Sequence, residues 1–284
     1  MKTVFTLFIL MIVFNQSFAQ PGTLDKSFGD TGVVLDKNIA GILNKIGAQS
    51  DGKIIGAGGG AINNSVPFLI IRYNTDGNID SSFGINGITG NNQQHEIDGV
   101  AIQKDDAIIA VSGYSFDVEL ARYKKDGELD STFGRDGTVT TSIGNNLTDP
   151  VNVLVQSDGK IITGGYIINQ PNEARQGFLI RYLPDGSLDK SFGNNGIAIL
   201  GEIDGDKSFG NVYAIALQPN GQILMSAVSN GGVVYRFNAD GSIDNNFGIE
   251  GIANFQQSDN IVNHFLPIAW WRNWMEKLLE GGKA

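Results

Sequence analysis

The chain has 284 residues, of which 38 are glycine and none is cysteine, and a formal net charge of −10. Charged side chains make up 18% and apolar ones 41%, a mix that suits a turn-rich all-β protein and is too apolar for a disordered one. The acidity argues against nonspecific attraction to nucleic acid or anionic lipid, and the lack of cysteine excludes disulfides, thiolate nucleophiles and cysteine metal sites.

The first element is a targeting segment. Lys2 supplies a positive end, residues 4–14 an apolar core, and Ser17-Phe18-Ala19 a small-x-small cleavage site. The pattern predicts a signal peptide over residues 1–19 and a mature chain starting near Gln20, secreted or at the cell surface. The apolar core is short for a membrane span, and no other span is apparent.

From Gly22 onward the chain repeats itself. RYNTDGNIDSSFGING starts at Arg72, RYKKDGELDSTFGRDG at Arg122, RYLPDGSLDKSFGNNG at Arg181 and RFNADGSIDNNFGIEG at Arg236. A truncated copy, GTLDKSFGDTG, starts at Gly22. Phe28, Phe83, Phe133, Phe192 and Phe247 follow one another at spacings of 55, 50, 59 and 55, which is the period of a repeat architecture. Asp-Gly pairs suit tight turns between antiparallel strands. In the link Leu/Ile-Asp-x-x-Phe-Gly, the four-residue apolar spacing fits one helical turn, with Asp80 capping and Gly84 leaving it left-handed. Phe83, Phe133, Phe192 and Phe247 are expected to fill the gaps between repeats.

A second motif lies between these copies: IGAQSDGKIIGAGG from Ile46, AIQKDDAIIAVSG from Ala101, LVQSDGKIITGG from Leu154 and ALQPNGQILMSA from Ala216. Each reads as strand, two-residue turn, strand. In the third repeat the four strands are expected at 151–156, 160–163, 178–182 and 196–200. Four short strands per repeat predict a β-propeller with blades over 42–90, 97–142, 151–200 and 212–256. Residues 32–36 are left as a spare outer strand of an incomplete fifth blade, expected to pair near residues 260–265. Trp270, Trp271, Trp274, Met275, Leu278 and Leu279 recur at helical spacing, which predicts a short C-terminal helix. The domain boundaries are then 20–266 for the propeller and 267–284 for the tail. The tail reads as a plug for the open blade or an altered terminus ahead of an interfacial membrane helix, because it has few basic residues.

QSDGKIITGG and RYLPDGSLDKSFGNNG together resemble the delta-60 repeat proteins, over about residues 22–252. The resemblance implies a secreted bacterial propeller and brings no catalytic residues.

Arg72, Arg122, Arg181 and Arg236 each precede Asp80, Asp130, Asp189 and Asp244 by eight positions, so a repeated ion pair is expected. Asn74, Asp76 and Asn78 resemble the start of a calcium loop, but Lys124 and Leu183 break it in sister repeats and no distal glutamate follows. His95 and His264 lack ligand-spaced partners, no G-x-S-x-G elbow occurs, and Gly58-Gly59-Gly60 opens no helix. No metal or cofactor is expected. The unrepeated loops, including 91–98, 144–150, 166–176 and 201–211, fall on one face of a propeller, where binding residues concentrate. His95, Tyr114, Tyr166, Arg175 and Asp204 are the candidates there. Three readings follow: a noncatalytic module for a protein or glycan partner, a carboxylate glycoside hydrolase or lyase drawing on Asp98, Asp117, Glu119, Glu173, Asp204 or Asp206, or an incomplete fragment with no independent function.

Overall fold

A computed structural model describes residues 22–35, 40–61, 68–90, 96–114, 116–144, 146–169, 174–200, 211–228 and 231–255. Among the described residues there are sixteen strands and no helix. The first sheet contains β1 (Ala40–Ala48), β2 (Ile54–Ala61), β3 (Phe68–Tyr73) and β4 (Ile88–Thr89). The second contains β5 (Gly99–Ile102), β6 (Ile108–Tyr114), β7 (Asp117–Tyr123) and β8 (Thr138–Ser142). The third contains β9 (Leu147–Val155), β10 (Ile161–Asn169), β11 (Ala174–Tyr182) and β12 (Ile197–Ile199). The fourth contains β13 (Val212–Leu217), β14 (Ile223–Val228), β15 (Gly232–Phe237) and β16 (Ile252–Phe255). Each sheet is an antiparallel meander with its strands in chain order. β1 lies against β5, β5 against β9 and β9 against β13, so the first strand of each sheet is innermost. The fold is the all-β propeller the repeat period implies.

Three apolar cores join the four blades. Phe83 packs with Ile55, Ile70, Val100 and Ile108 between blades one and two. Phe133 packs between blades two and three, and Phe192 between three and four. All three rings are 0% exposed.

Each repeated arginine pairs with an aspartate and stacks on a ring, and three of the four also cross to the next blade. Arg72, Arg122, Arg181 and Arg236 donate from Nε to Asp80, Asp130, Asp189 and Asp244 at 2.8, 2.7, 2.8 and 2.8 Å. Their guanidinium groups lie 4.7, 4.8, 4.6 and 4.5 Å from the ring centroids of Phe83, Phe133, Phe192 and Phe247, a cation–π contact. The first three also reach a backbone carbonyl of the following blade, at Lys125, Pro184 and Ala239. The link after each arginine is a single turn: Asp80 O accepts the Phe83 N–H at 3.0 Å and Phe83 O accepts the Gly87 N–H at 2.8 Å.

The hairpin turns differ from the two-residue form the sequence suggests. Gln49 N–H donates to Lys53 O at 2.9 Å and Gly52 N–H to Gln49 O at 3.0 Å, which makes a three-residue loop. The reason is conformational. A two-residue type I′ turn needs positive φ at both residues, and here only the glycine adopts it, at +84° for Gly52. The aspartate keeps negative φ and uses its carboxylate to accept the N–H two residues on, as Asp51 does from Lys53 at 3.2 Å. In blade two Asp106 replaces the glycine, at φ 65°. Hydrogen bonds from Lys125 Nζ at 2.7 Å and Ser50 N–H at 2.6 Å hold its carboxyl down at about 2.

Residues 22–35 rest on blade one. Gly29 N–H donates to Asp76 O at 2.7 Å, and Val34 packs on Leu69, Ile71 and Tyr73. Of the spare strand expected over Gly32–Asp36, the described residues 32–35 join none of the four sheets and make only an isolated bridge from Val33 to Asp30. Its expected partners near 260–265, and the expected tail helix, lie outside the described residues.

Candidate functional site

The repeated polar residues serve the blade junctions. The unrepeated ones gather elsewhere. Asp98 immediately precedes β5 and its N–H donates to Val111 O at 2.9 Å. Its Oδ2 accepts the Gly113 N–H at 2.9 Å. Position 113 must be glycine, since a Cβ there would stand 2.4 Å from Pro150 Cδ and 2.8 Å from Thr148 O. The end of β6 is thereby pressed onto the start of β9, in the next blade.

Asp149 lies in that stretch of β9, opposite Tyr166 on β10, and the Tyr166 hydroxyl donates to Asp149 Oδ2. Arg175 on β11 places its guanidinium 5.4 Å from the Tyr166 ring centroid. Its Nη1 donates to Asn211 Oδ1 at 2.6 Å, just ahead of β13 in blade four. From blade one, Lys45 Nζ donates to Val151 O at 2.9 Å. Every blade thus sends a polar side chain toward the innermost strands, and Asp98, Asp149 and Asn211 share the end away from the Asp-Gly turns.

Burial pushes the Asp98 carboxyl up to about 7. The Gly113 N–H opposes that, the negative charges of Asp149 and Glu96 reinforce it, and Lys45 opposes it again. Burial, then the hydrogen bond and charge of Asp149, push the Tyr166 hydroxyl up to about 12. The site therefore combines a carboxyl that holds its proton well above the ordinary carboxylate range, a hydroxyl that keeps its proton, and a guanidinium.

The Asp98 shift has a sign for stability. An unfolded aspartate titrates near ~4, so between about 4 and 7 the folded state keeps a proton that the unfolded state loses. Stability contributed by this group falls as pH rises through that window and stays low above it. Asp98→Asn removes the titration and keeps an acceptor for Gly113. It is expected to stabilise the protein by on the order of 2 kcal/mol near pH 8 and by almost nothing near pH 4. Thermal unfolding at the two pH values checks this. An equal effect at both would remove burial of a charge as the cause.

Of the candidates named from sequence, Tyr166 and Arg175 are brought together. They are not on a loop: the β10–β11 ladder runs on through Tyr166↔Gly177 and Ile168↔Arg175 to Asn169↔Ala174, because apolar residues continue the strand past Tyr166. Tyr114 ends β6 opposite Asp117. Asp117 accepts a hydrogen bond from Ser142 at the blade-two edge, and Glu119 pairs with Thr140 within β7–β8. His95, Glu173, Asp204 and Asp206 lie outside the described residues. Asp149, Asn211 and Lys45 were not singled out from sequence. The available signal was a lysine inside an apolar strand, which no sister repeat has, and an acid just before Pro150.

The family described as "Domain of unknown function (DUF5122) beta-propeller" matches residues 49–83, 103–133, 156–192 and 218–247. Each matched segment runs from the glutamine before a first hairpin to the phenylalanine of a link, one per blade. Among solved structures, a protein of unknown function from Bacteroides caccae is 11% identical with a TM-score of 0.36, covering 77% of this chain and 87% of that one. Virginiamycin B lyase from Staphylococcus aureus is 13% identical with a TM-score of 0.41, and the match covers 78% of this chain and 60% of the lyase. An engineered GH43 glycoside hydrolase is 11% identical with a TM-score of 0.42, over 78% of this chain and 44% of that one. No curated protein matches the sequence significantly.

Proposed function

We propose that this β-propeller repeat protein, of delta-60 type, acts outside the cytoplasm as a noncatalytic binding module for a protein or glycan. Residues 1–19 direct export and are removed. The partner docks on the face that carries Asp98, Asp149, Tyr166, Arg175 and Asn211, with His95, Tyr114 and Asp204 as further contacts. One observation carries the reading: Asp98, Asp149, Tyr166, Arg175 and Asn211 stand outside the repeat yet share one end of the propeller, whereas the repeated Arg–Asp pairs at the first three blades are occupied in blade-to-blade contacts. Carboxyl oxygens, a phenol and a guanidinium side by side suit a ligand rich in hydroxyl and carbonyl groups. Metal, cofactor, nucleic acid and membrane have no part in it.

The test is a screen of the mature chain on a glycan array and against extracellular protein extracts. Any hit is retested with Arg175→Ala and Asp149→Asn. Loss of a charged contact in such a site weakens binding about tenfold or more. Unchanged binding by both variants would place the partner on another face.

A second reading rests on the Asp98–Asp149 pair. A carboxyl held near neutrality beside a second carboxylate is the arrangement of an acid–base couple in a glycoside hydrolase or lyase. Turnover of aryl glycosides or polyuronates, lost in both Asp98→Asn and Asp149→Asn while the fold survives, would replace the binding reading with this one.

A further inference from the structure

Every junction between blades is built the same way. One blade offers a seat made of an arginine, a phenylalanine ring and the N–H of the next glycine. The following blade fills it with its Asp-Gly turn and adds an apolar side chain from its first strand. At the first junction Arg72 Nη1 donates to Lys125 O at 2.5 Å and Gly84 N–H to Asp126 O at 2.8 Å. Gly127 lies so close to the Phe83 ring that a Cβ would stand 2.9 Å from it, and Val100 is buried in the same core. Gly186 on Phe133 and Gly241 on Phe192 repeat the fit at 3.0 and 2.8 Å, with Val153 and Ile215 in the place of Val100.

Among the described residues, the two ends of the array carry halves that meet no neighbouring blade. On blade four, Arg236, Asp244 and Phe247 have the geometry of a seat. Among the described residues, however, no hydrogen bond leaves Arg236 Nη1 or the Gly248 N–H. On blade one, Ile46 occupies the position of Val100, Val153 and Ile215, and it is 79% exposed where they are 9%, 1% and 4%. Among the described residues, the Asp76-Gly77 turn of blade one takes the Gly29 N–H on Asp76 O at 2.7 Å and lies against Gly29 and the Val34 side chain, and no arginine reaches it. Residues 22–35 are a loose occupant, with Leu24 and Leu35 64% and 82% exposed.

We infer that the chain associates head to tail with a second copy of itself. Blade four of one copy packs on blade one of the next, and Arg236, Phe247 and Gly248 take the Asp76-Gly77 turn beside Ile46. The incoming seat displaces the Gly29 and Val34 contacts on the turn and adds the guanidinium bond they lack. The occupant is a second copy because the contact continues an interface the chain already makes three times, and the blade-four seat matches the blade-one turn beside Ile46. Such an interface is heterologous, so each addition leaves one seat and one turn free, and growth ends in a ring or an open chain.

Light scattering and sedimentation of the full mature chain over a concentration series test this. The wild-type mass is expected to rise above that of a monomer. Ile46→Lys, at an exposed position, and Arg236→Ala each spoil one half and are expected to be monomeric alone. Mixed in equal amounts they are expected to form a dimer and nothing larger, since each keeps the half the other lacks. Ile46→Lys added to wild type is expected to lower the mean mass by capping growth, a readout that does not depend on how well Arg236→Ala folds. A wild-type chain that stays monomeric at about 100 μM, a concentration well above the micromolar range of specific interfaces, overturns the proposal. So does an Ile46→Lys chain that associates like wild type, or a mixture of the two variants that stays monomeric.

Discussion

Phe192→Ala is expected to lower unfolding stability by about 3–5 kcal/mol, the range for removing a fully buried aromatic ring. The ring is 0% exposed and sits in the core that joins blades three and four, with Ile162, Ile215 and Met225 around it. Two further contacts go with it. The Arg181 guanidinium lies 4.6 Å from the ring centroid, and Gly241 presses on the ring's far edge. The space cannot collapse easily, because Gly193 N–H and Arg181 Nη1 still hold the blade-four turn at its original distance. Phe192→Leu, which keeps most of the apolar volume, is expected to cost clearly less, about 1–2 kcal/mol. Urea unfolding of the three proteins decides it. A loss below about 1 kcal/mol for the alanine variant would mean the ring does not join the blades.

Asp189→Ala is expected to cost on the order of 3–5 kcal/mol, because it leaves Arg181 buried without its counter-ion. The two side chains are 7% and 8% exposed, so solvent does little to replace the lost partner. Part of the cost is local. Asp189 also accepts the Ser191 N–H at 3.0 Å and the Ser191 hydroxyl at 2.6 Å, which fixes the turn leading to Phe192. Asp189→Asn keeps an acceptor for that turn and loses only the charge, so it is expected to fall between wild type and alanine. Replacing both partners, with Arg181→Met beside Asp189→Ala, is expected to recover part of the loss, since no unpaired charge remains buried. If the double variant is as unstable as the sum of the singles, the pair is not what holds the turn.

The same carboxylates fix the acid side of the stability profile. Burial acts to raise Asp189, but its bonds from Ser191 and the Arg181 charge hold it below the ordinary value; against the same burial, Asp80 is lowered by Lys53, Ser82 and Arg72, Asp130 by Thr132 and Arg122, and Asp244 by the Asn246 N–H and Arg236. A depressed carboxyl contributes stability above its unfolded value near ~4 and loses it as pH falls toward the folded value. Asp98 acts in the opposite sense between about 4 and 7. The two effects predict a stability maximum between these windows, which Asp98→Asn should broaden toward neutral pH.

The eight-residue step from arginine to aspartate was readable because both ends lie on one strand and its turn. The structure has the four pairs at 2.7–2.8 Å. What the spacing did not show was the third partner of Arg72, Arg122 and Arg181, a carbonyl 53 to 62 positions away on the next blade. Turn type was also hidden. Asp-Gly is compatible with both two- and three-residue loops, and the ladder register chose the longer one at Gln49–Lys53.

The amino-acid sequence alone determined the four four-stranded blades and the apolar joints at Phe83, Phe133 and Phe192. These depend on strand alternation, turn residues and a period, all of which are interactions within one repeat or its copy in the next. Tertiary structure alone decided the candidate site. Asp98 meets the field of Asp149 from a different blade, Arg175 reaches Asn211 across a blade boundary, and Lys45 reaches Val151 from two blades away. No period marks these residues, because each occurs once. Their meeting depends on how closely the innermost strands approach, and that distance is set by contacts such as Gly113 against Pro150, which only packing reveals.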